Sequence, residues 1–169
     1  GQTPATIFYF PGTSGWGDTF AGHPVKSLFT YAVDGGGIVI TSIDTSFTGT
    51  FLPIPETLFG YPVTAIGNYV FYGCTNLASI TIPASVKNIG DWAFANCTSL
   101  TSVTIPDSVT TIGDGAFYHC ASLASVTIGN SVTSIGTSAF SDCISLTSIT
   151  IPDSVTNISA CAFCACTSL

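Results

Sequence analysis

The sequence predicts an α/β solenoid, in which short repeated units stack on one another along a single axis. Three observations predict it. One apolar pattern recurs every 23 residues, each unit contains a stretch of strand-like alternation, and each unit also contains a stretch with helical spacing. Stacked units of this kind form a parallel β-sheet from their strands, and their short α or 3₁₀ segments line up beside it.

The repeat is defined by apolar columns that keep their register without an insertion. Four complete units and one partial unit cover residues 63–85, 86–108, 109–131, 132–154 and 155–169. The aligned phenylalanines are Phe71, Phe94, Phe117, Phe140 and Phe163, and the aligned cysteines are Cys74, Cys97, Cys120, Cys143 and Cys166. One unit cannot bury its own apolar face, so the columns predict a continuous core between stacked units.

A short strand is expected in each unit. In the second unit Val103 and Ile105 alternate with Ser102 and Thr104, which is typical of a half-buried strand. Pro106 ends the strand because proline has no N–H to donate to a sheet. Strands of successive units should align in parallel.

A short α or 3₁₀ segment is expected after the strand. Asp114 is a good helix N-cap, and Ala116, Phe117 and Cys120 then recur at about one helical turn. The same N-cap column holds Asn68, Asp91 and Thr137. The segment should turn its phenylalanine into the core.

The unit closely resembles a known repeat family. The stretch at residues 108–123, SVTTIGDGAFYHCASL, is similar to the BspA-like leucine-rich repeats of bacterial and protozoan surface proteins. The resemblance covers residues 63–169. It implies a curved leucine-rich-repeat solenoid, with the parallel sheet on the concave face and the short α or 3₁₀ segments on the convex face. It also implies an extracellular or cell-surface location and a role in adhesion to proteins or to other cells.

Residues 1–62 lack the repeat. We interpret residues 1–28 as the end of a preceding unit, with a strand at 5–10, a loop at 11–17 and a linker at 21–28. Residues 9–20 resemble the closing segment of a preceding array in proteins of this family.

Residues 29–62 are predicted to form an N-terminal cap over the open end of the solenoid at 63–169. Residues 29–33 and 38–40 flank a glycine-rich stretch and predict a β-hairpin, because glycine adopts the positive φ of a tight turn. Residues 51–55 occupy the place of a repeat strand.

The composition excludes several classes of partner. Two Lys and Arg residues against nine Asp and Glu residues give a net charge of −7, which does not suit nucleic acid or an anionic membrane surface. No apolar run approaches the ~20 residues that a membrane span needs. The chain does not begin with Met and ends within the repeat pattern, so we expect a fragment of a longer protein.

Five of the seven cysteines form the repeat column. Their parallel Cβ directions favour a ladder of buried free thiols over disulfides, with each thiol acting as a small apolar group. Cys161, Cys164 and Cys166 also give a C-x-x-C-x-C pattern, which leaves open a zinc site or a disulfide involving Cys161 or Cys164. A degenerate repeat is the simpler interpretation, and no metal or other cofactor is predicted.

No pattern marks a catalytic centre. His119 occupies a variable repeat position that is expected to be exposed, and His23 lies in a loop-like stretch. The acidic residues are scattered, whereas glycoside hydrolysis needs a close pair of carboxyl groups in a cleft. We therefore expect a protein that is not an enzyme.

The predicted strands present an outward grid of hydroxyl groups, formed by Ser79, Thr81, Ser102, Thr104, Ser125, Thr127, Ser148 and Thr150. A purely structural explanation is that threonine favours strands and keeps the exposed face of a sheet soluble. Solenoids also use such faces for binding. The leading hypothesis is therefore a binding or adhesion module for a protein or other extracellular macromolecule. A passive spacer, or the targeting arm of a larger extracellular protein or enzyme, is the alternative, and the oligomeric state is left open.

Overall fold

The computed structural model describes residues 7–9, 19–20 and 23–169, with side chains from residue 27 onward. Sixteen β-strands and no helix lie within these residues. The prediction of a stacked repeat solenoid is confirmed. The prediction of short α or 3₁₀ segments is wrong, because turns occupy their place.

Three strands near the N-terminus form a small sheet of their own. Strands β1 (Ile7–Tyr9) and β3 (His23–Ser27) pair in parallel, and β2 (Thr19–Phe20) pairs antiparallel with β3. The predicted strand at 5–10 therefore overlaps β1, and a strand lies within the predicted linker at 21–28. The predicted loop at 11–17 lies outside the described residues.

The predicted β-hairpin is present. Strands β4 (Phe29–Asp34) and β5 (Gly37–Ile43) pair antiparallel. Gly35 and Gly36, with φ of 55° and 84°, make the two-residue turn, in which both positions need positive φ.

The next segment joins the hairpin to the repeats. Strand β6 (Phe51–Pro53) is followed by β7 (Thr57–Leu58) and β8 (Tyr61–Ile66), which pair with each other antiparallel. Strand β5 then pairs in parallel with β8, so the hairpin continues the sheet of the repeats. This position agrees with a capping role, while the domain division itself stays a prediction.

Each coil of the solenoid contributes two short strands instead of one strand and one helix. The first kind is β9 (Ser79–Thr81), β11 (Ser102–Thr104), β13 (Ser125–Thr127) and β15 (Ser148–Ile149), and the second kind is β10 (Asn88–Ile89), β12 (Thr111–Ile112), β14 (Ser134–Ile135) and β16 (Asn157–Ile158). Strands of the first kind pair as β11-β13-β15 and β6-β9, and those of the second kind line up with β8 in the order β16-β14-β12-β10-β8-β5-β4. All pairings between repeat coils are parallel and join residues 23 positions apart.

The phenylalanine column forms a stack along the core. Rings of successive coils lie 4.9 to 5.5 Å apart between centroids, with interplanar angles of 2° to 11°. The rings of Phe71, Phe94, Phe117 and Phe140 are fully buried. Phe163 is half-buried and stacks on the ring of Phe140. The column therefore works as predicted, with every interior ring covered on both faces.

Hydrogen bonds between coils explain why the phenylalanine segments are turns. The N–H groups of Trp92, Phe94 and Asn96 donate to carbonyl oxygens of the following coil at 2.7 to 2.8 Å. The N–H groups between them donate three residues back, as in a turn. Trp92 and Asn96 also have φ near 60°, which a right-handed helix does not allow. Alternate backbone N–H groups thus donate to the next coil, so no continuous series of helical hydrogen bonds forms.

The predicted N-caps have a different role. The side-chain oxygen Oδ1 of Asp91 accepts the backbone N–H of Asp114 at 2.9 Å, and Oδ1 of Asp114 accepts that of Thr137 at 2.6 Å. Asn68 makes the same bond to Asp91 at 2.9 Å. The column is therefore a polar ladder between coils, and the prediction of helix caps is wrong.

Candidate functional site

The predicted hydroxyl grid lies on the first kind of strand, and we call its eight residues the S-x-T face. Ser102 pairs with Ser125 and Thr104 with Thr127 in parallel register, so equivalent hydroxyls form rows across the coils. Ser125 continues the serine row to Ser148. Seven of the eight side chains are exposed and Ser79 is half-buried. The face carries no charged side chain among these eight residues.

The hydroxyls of the S-x-T face form no hydrogen bond with another protein group within the described part of the chain. Threonines elsewhere in the coil behave differently. The Oγ1 atoms of Thr110, Thr133 and Thr156 donate to carbonyl oxygens of the preceding coil at 3.1 to 3.3 Å. The S-x-T face thus presents donors and acceptors that the fold itself does not use.

An aromatic side chain that sequence reasoning missed extends this face. Strand β6 pairs in parallel with β9, which places Phe51 beside Ser79 and Pro53 beside Thr81. Phe51 is 55% exposed. Residues 51–55 occupy the place of a repeat strand in the sequence, and this position could have predicted that Phe51 joins the face. One end of the hydroxyl rows therefore carries an exposed apolar ring.

A second surface lies on the turns, where the repeat consensus is broken by aromatic residues. Tyr69 and Tyr72 are more than half exposed, and their ring centroids lie 5.9 Å apart. In the next two coils, the Trp92 and Tyr118 rings lie 5.4 Å apart. A Cβ added at Gly115 would lie 2.7 Å from the Trp92 ring, so the indole covers this glycine. We call these four aromatic residues the turn face.

One acidic residue is tied to the turn face. The Asp142 carboxylate interacts with the Tyr118 hydroxyl and raises the pKa of Tyr118. His119, at the neighbouring position, is exposed as predicted. The side chain of His23 lies outside the described residues.

The cysteine column has the predicted arrangement. The thiols of Cys97, Cys120 and Cys143 are buried, and each donates to the carbonyl oxygen of the phenylalanine 26 residues earlier at 3.2 Å. Burial raises the pKa of Cys143 to about 12 and that of Cys120 well above the ordinary value. These thiols therefore stay protonated and work as small core groups.

The C-x-x-C-x-C pattern does not converge on one point. Cys161 and Cys164 are exposed on a turn, whereas the Cys166 thiol donates into the core to the Phe140 carbonyl at 3.1 Å. Among the residues that the structure describes, no three His, Cys, Asp or Glu side chains are grouped so that they could hold a metal ion.

A cavity of about 440 Å³ opens beside the N-terminal coil. Residues 42–49 line one side, and residues 69–77, with the two tyrosines of the turn face, line the other. Asp44 and Asn76 contribute polar groups to its wall. The turn face thus begins at this cavity. Among the described residues no helix is long and apolar enough to cross a membrane.

Parallel register every 23 residues, a stacked phenylalanine core and one outward strand row per coil define a leucine-rich-repeat solenoid. Residues 43–169 match the BspA-type leucine-rich repeat region, with six copies of the repeat. The chain belongs to the BspA-type leucine-rich repeat family.

Solved structures agree with this assignment. A leucine-rich repeat protein of T. pallidum, TpLRR, is 35% identical with a TM-score of 0.81, over 84% of this chain and 66% of that one. A leucine-rich repeat protein from Bacteroides capillosus ATCC 29799 is 29% identical with a TM-score of 0.50, over 78% of this chain and 83% of that one. The pneumococcal vaccine antigen PcpA shares the fold, at 19% identity and a TM-score of 0.60, over 83% of this chain and 46% of its own. No curated protein matches the sequence.

Proposed function

We propose that this chain is a non-catalytic, surface-exposed binding module that recognises a protein or another extracellular macromolecule through the S-x-T face. The single observation that carries the proposal is the contrast between two sets of exposed threonines. Thr110, Thr133 and Thr156, each directly before a strand of the second kind, donate to the preceding coil, whereas the threonines of the S-x-T face keep their hydroxyls available.

The shape and chemistry of the face support a macromolecular ligand. Parallel strands repeat the same hydroxyl pair at each coil, so a long ligand could meet equivalent groups in successive coils. Phe51 adds an aromatic anchor at one end, and aromatic side chains are enriched where interfaces gain most of their free energy. A neutral, hydroxyl-bearing face suits a polar ligand without a strong charge.

Family membership supports the location and the class of function. BspA-type repeats are commonly binding or adhesion modules, and proteins that contain them are typically bacterial surface proteins. The chain spans 66% of TpLRR and about half of several other solved relatives, so the activity and partners of the whole protein are part of this proposal.

Single charged substitutions test the face. Thr104→Lys and Thr127→Lys, made separately, each place a charge at the centre of the hydroxyl rows. We expect either substitution to reduce adsorption of the chain to its target, in a panel of immobilised matrix glycoproteins and polysaccharides, by at least about tenfold. Burying the lysine charge in the interface without a partner would cost more than about 1.4 kcal/mol, which corresponds to that factor. Surface plasmon resonance measures the loss.

The matched control is Thr111→Lys, which adds the same charge at an exposed strand position of the second sheet. Circular dichroism and a urea melt should show all three variants folded. Binding that survives both changes on the S-x-T face would contradict the proposed face. If Trp92→Ala abolishes binding instead, the binding surface is the turn face.

The passive spacer or targeting arm is the second candidate function. The exact 23-residue register of the coils supports it, because such an array can lengthen or shorten by whole repeats without disturbing its neighbours. Deleting residues 109–131 should then leave a folded chain and change no binding. A binding panel that stays blank for the intact chain favours this candidate.

A further inference from the structure

Two cysteines stand apart from the buried column. Cys161 and Cys164 are exposed and begin and end one turn of the last coil. The Cys164 N–H donates to the Cys161 carbonyl at 3.0 Å, which closes a four-residue turn. Such turns keep the two end Cα atoms less than ~7 Å apart. Disulfides span Cα separations of ~4.4–6.8 Å, so the backbone already has the required spacing.

The first coil shows where side chains point from these two positions. Tyr69 and Tyr72 occupy the same places in an equivalent turn, closed by the Tyr72 N–H and the Tyr69 carbonyl at 3.2 Å. Tyr69 has a φ of 60° and Cys161 a φ of 55°, so the turns share a backbone shape. The two tyrosine rings contact each other. Side chains at both positions therefore converge on one side of the turn.

The two thiols influence each other. Interaction with the Cys161 side chain raises the pKa of the Cys164 thiol. By contrast, Cys166 directs its thiol to the Phe140 carbonyl, and the column cysteines of the earlier coils are buried or half-buried. Only this pair among the seven cysteines is both exposed and adjacent.

We propose that Cys161 and Cys164 form a solvent-accessible dithiol site that is oxidised to a disulfide within the turn by a small disulfide of the glutathione type. One cysteine thiolate attacks a sulfur of the small disulfide, whose S–S bond breaks and releases one thiolate. The second cysteine thiolate then attacks the resulting mixed disulfide and releases the other. The protein loses two protons and two electrons, and the small disulfide is reduced to two thiols.

The geometry also sets the selectivity of this reaction. Attack requires a thiolate that can reach the small disulfide, and the buried column has neither access nor an accessible thiolate. The disulfide would cross-link the turn at residues 161–164 and would leave the Cys166 thiol in the core. It would also remove the two thiols most able to cross-link neighbouring molecules.

The test oxidises the intact chain with oxidised glutathione, then unfolds it and alkylates the remaining thiols with iodoacetamide. We expect five of the seven cysteines to be alkylated, and peptide mass mapping to join Cys161 to Cys164 in a single chain. Cys161→Ser and Cys164→Ser are the matched variants. Each should instead carry one glutathione on its remaining exposed cysteine.

Three results would overturn the proposal. They are a wild-type chain that carries glutathione on both Cys161 and Cys164, a disulfide that includes a cysteine of the column, and a covalent dimer as the main product. Circular dichroism of the reduced and oxidised chains should be superimposable, which separates this reaction from oxidation of an unfolded chain. Because the binding proposal concerns the S-x-T face, neither proposal depends on the other.

Discussion

Removing one ring from the middle of the phenylalanine stack should destabilise the solenoid more than removing a ring at its end. Phe117 is fully buried and has a stacked neighbour on each side, at 5.0 Å and 5.2 Å between centroids. Phe163 has one stacked neighbour, at 5.5 Å, and is half-buried. The two sites thus share a column and differ in how completely the ring is enclosed.

The expected magnitudes follow from burial. Truncating a fully buried phenylalanine to alanine costs about 3–5 kcal/mol, because the cavity adds to the lost transfer free energy. Phe117→Ala should therefore lower the free energy of unfolding by about 4 kcal/mol, a large share of the ~5–15 kcal/mol of an ordinary domain. Phe163→Ala keeps one open side into which solvent already reaches, and should cost about half as much.

Urea denaturation followed by circular dichroism measures both losses. Phe51→Ala is the matched control, since this ring is 55% exposed, and it should change stability by less than about 1 kcal/mol. A central cavity should also lower the slope of the transition, because coils on either side of Phe117 can then unfold separately. Equal losses at Phe117, Phe163 and Phe51 would refute the view that the stack is the stabilising core.

Three further predictions concern the polar ladder, the thiols and the turn face. Asp114→Ala should cost about 0.5–2 kcal/mol in a urea melt while Asp114→Asn costs little, because Asn68 already makes the same bond two coils earlier in the ladder. Equal costs would contradict the ladder. Burial raises the pKa of Cys143 to about 12, so the unfolded chain loses this proton at a lower pH than the fold does. The contribution of this thiol to the free energy of unfolding should be constant below the ordinary thiol pKa of 9.0. It should fall as pH rises towards 12, by up to about 1.4 kcal/mol per pH unit. Cys143→Ala should make the measured decline shallower, and an unchanged slope would show that other groups cause it. Gly115→Ala should lower the free energy of unfolding by about 1–3 kcal/mol, because φ is 58° and the new Cβ meets the Trp92 ring. The double variant with Trp92→Ala should lose less than the sum of the two single losses, because it removes that clash.

The sequence alone determined which residues face the core. The phenylalanine and cysteine columns predict burial by period, and Phe94, Phe117 and Cys120 are fully buried in the structure. The glycines after Asp34 predict a hairpin, and the two-residue turn confirms it. These predictions succeed because burial and turn shape depend on residue type and local spacing, which the chain order contains directly.

The sequence could not determine how the backbone of the phenylalanine segments is paired. Asp114 and the spacing of Phe117 and Cys120 predicted a capped helix, because a helix is the local way to satisfy successive N–H groups. In the stacked solenoid alternate N–H groups find carbonyl oxygens of the next coil, such as that of Ala139 for Phe117. A partner 22 residues away satisfies the same donor, and only the tertiary structure shows which partner is used.

The same reason separates the candidate surfaces. Thr104 and Thr110 are exposed threonines of successive coils, and their sequence contexts do not show that only Thr110 donates to the preceding coil. The exposed aromatic residues of the turn face occupy variable positions, so no column marked them. Local sequence specified the period and the core. The contacts between coils decided which exposed hydroxyl groups hydrogen bond within the fold and which do not.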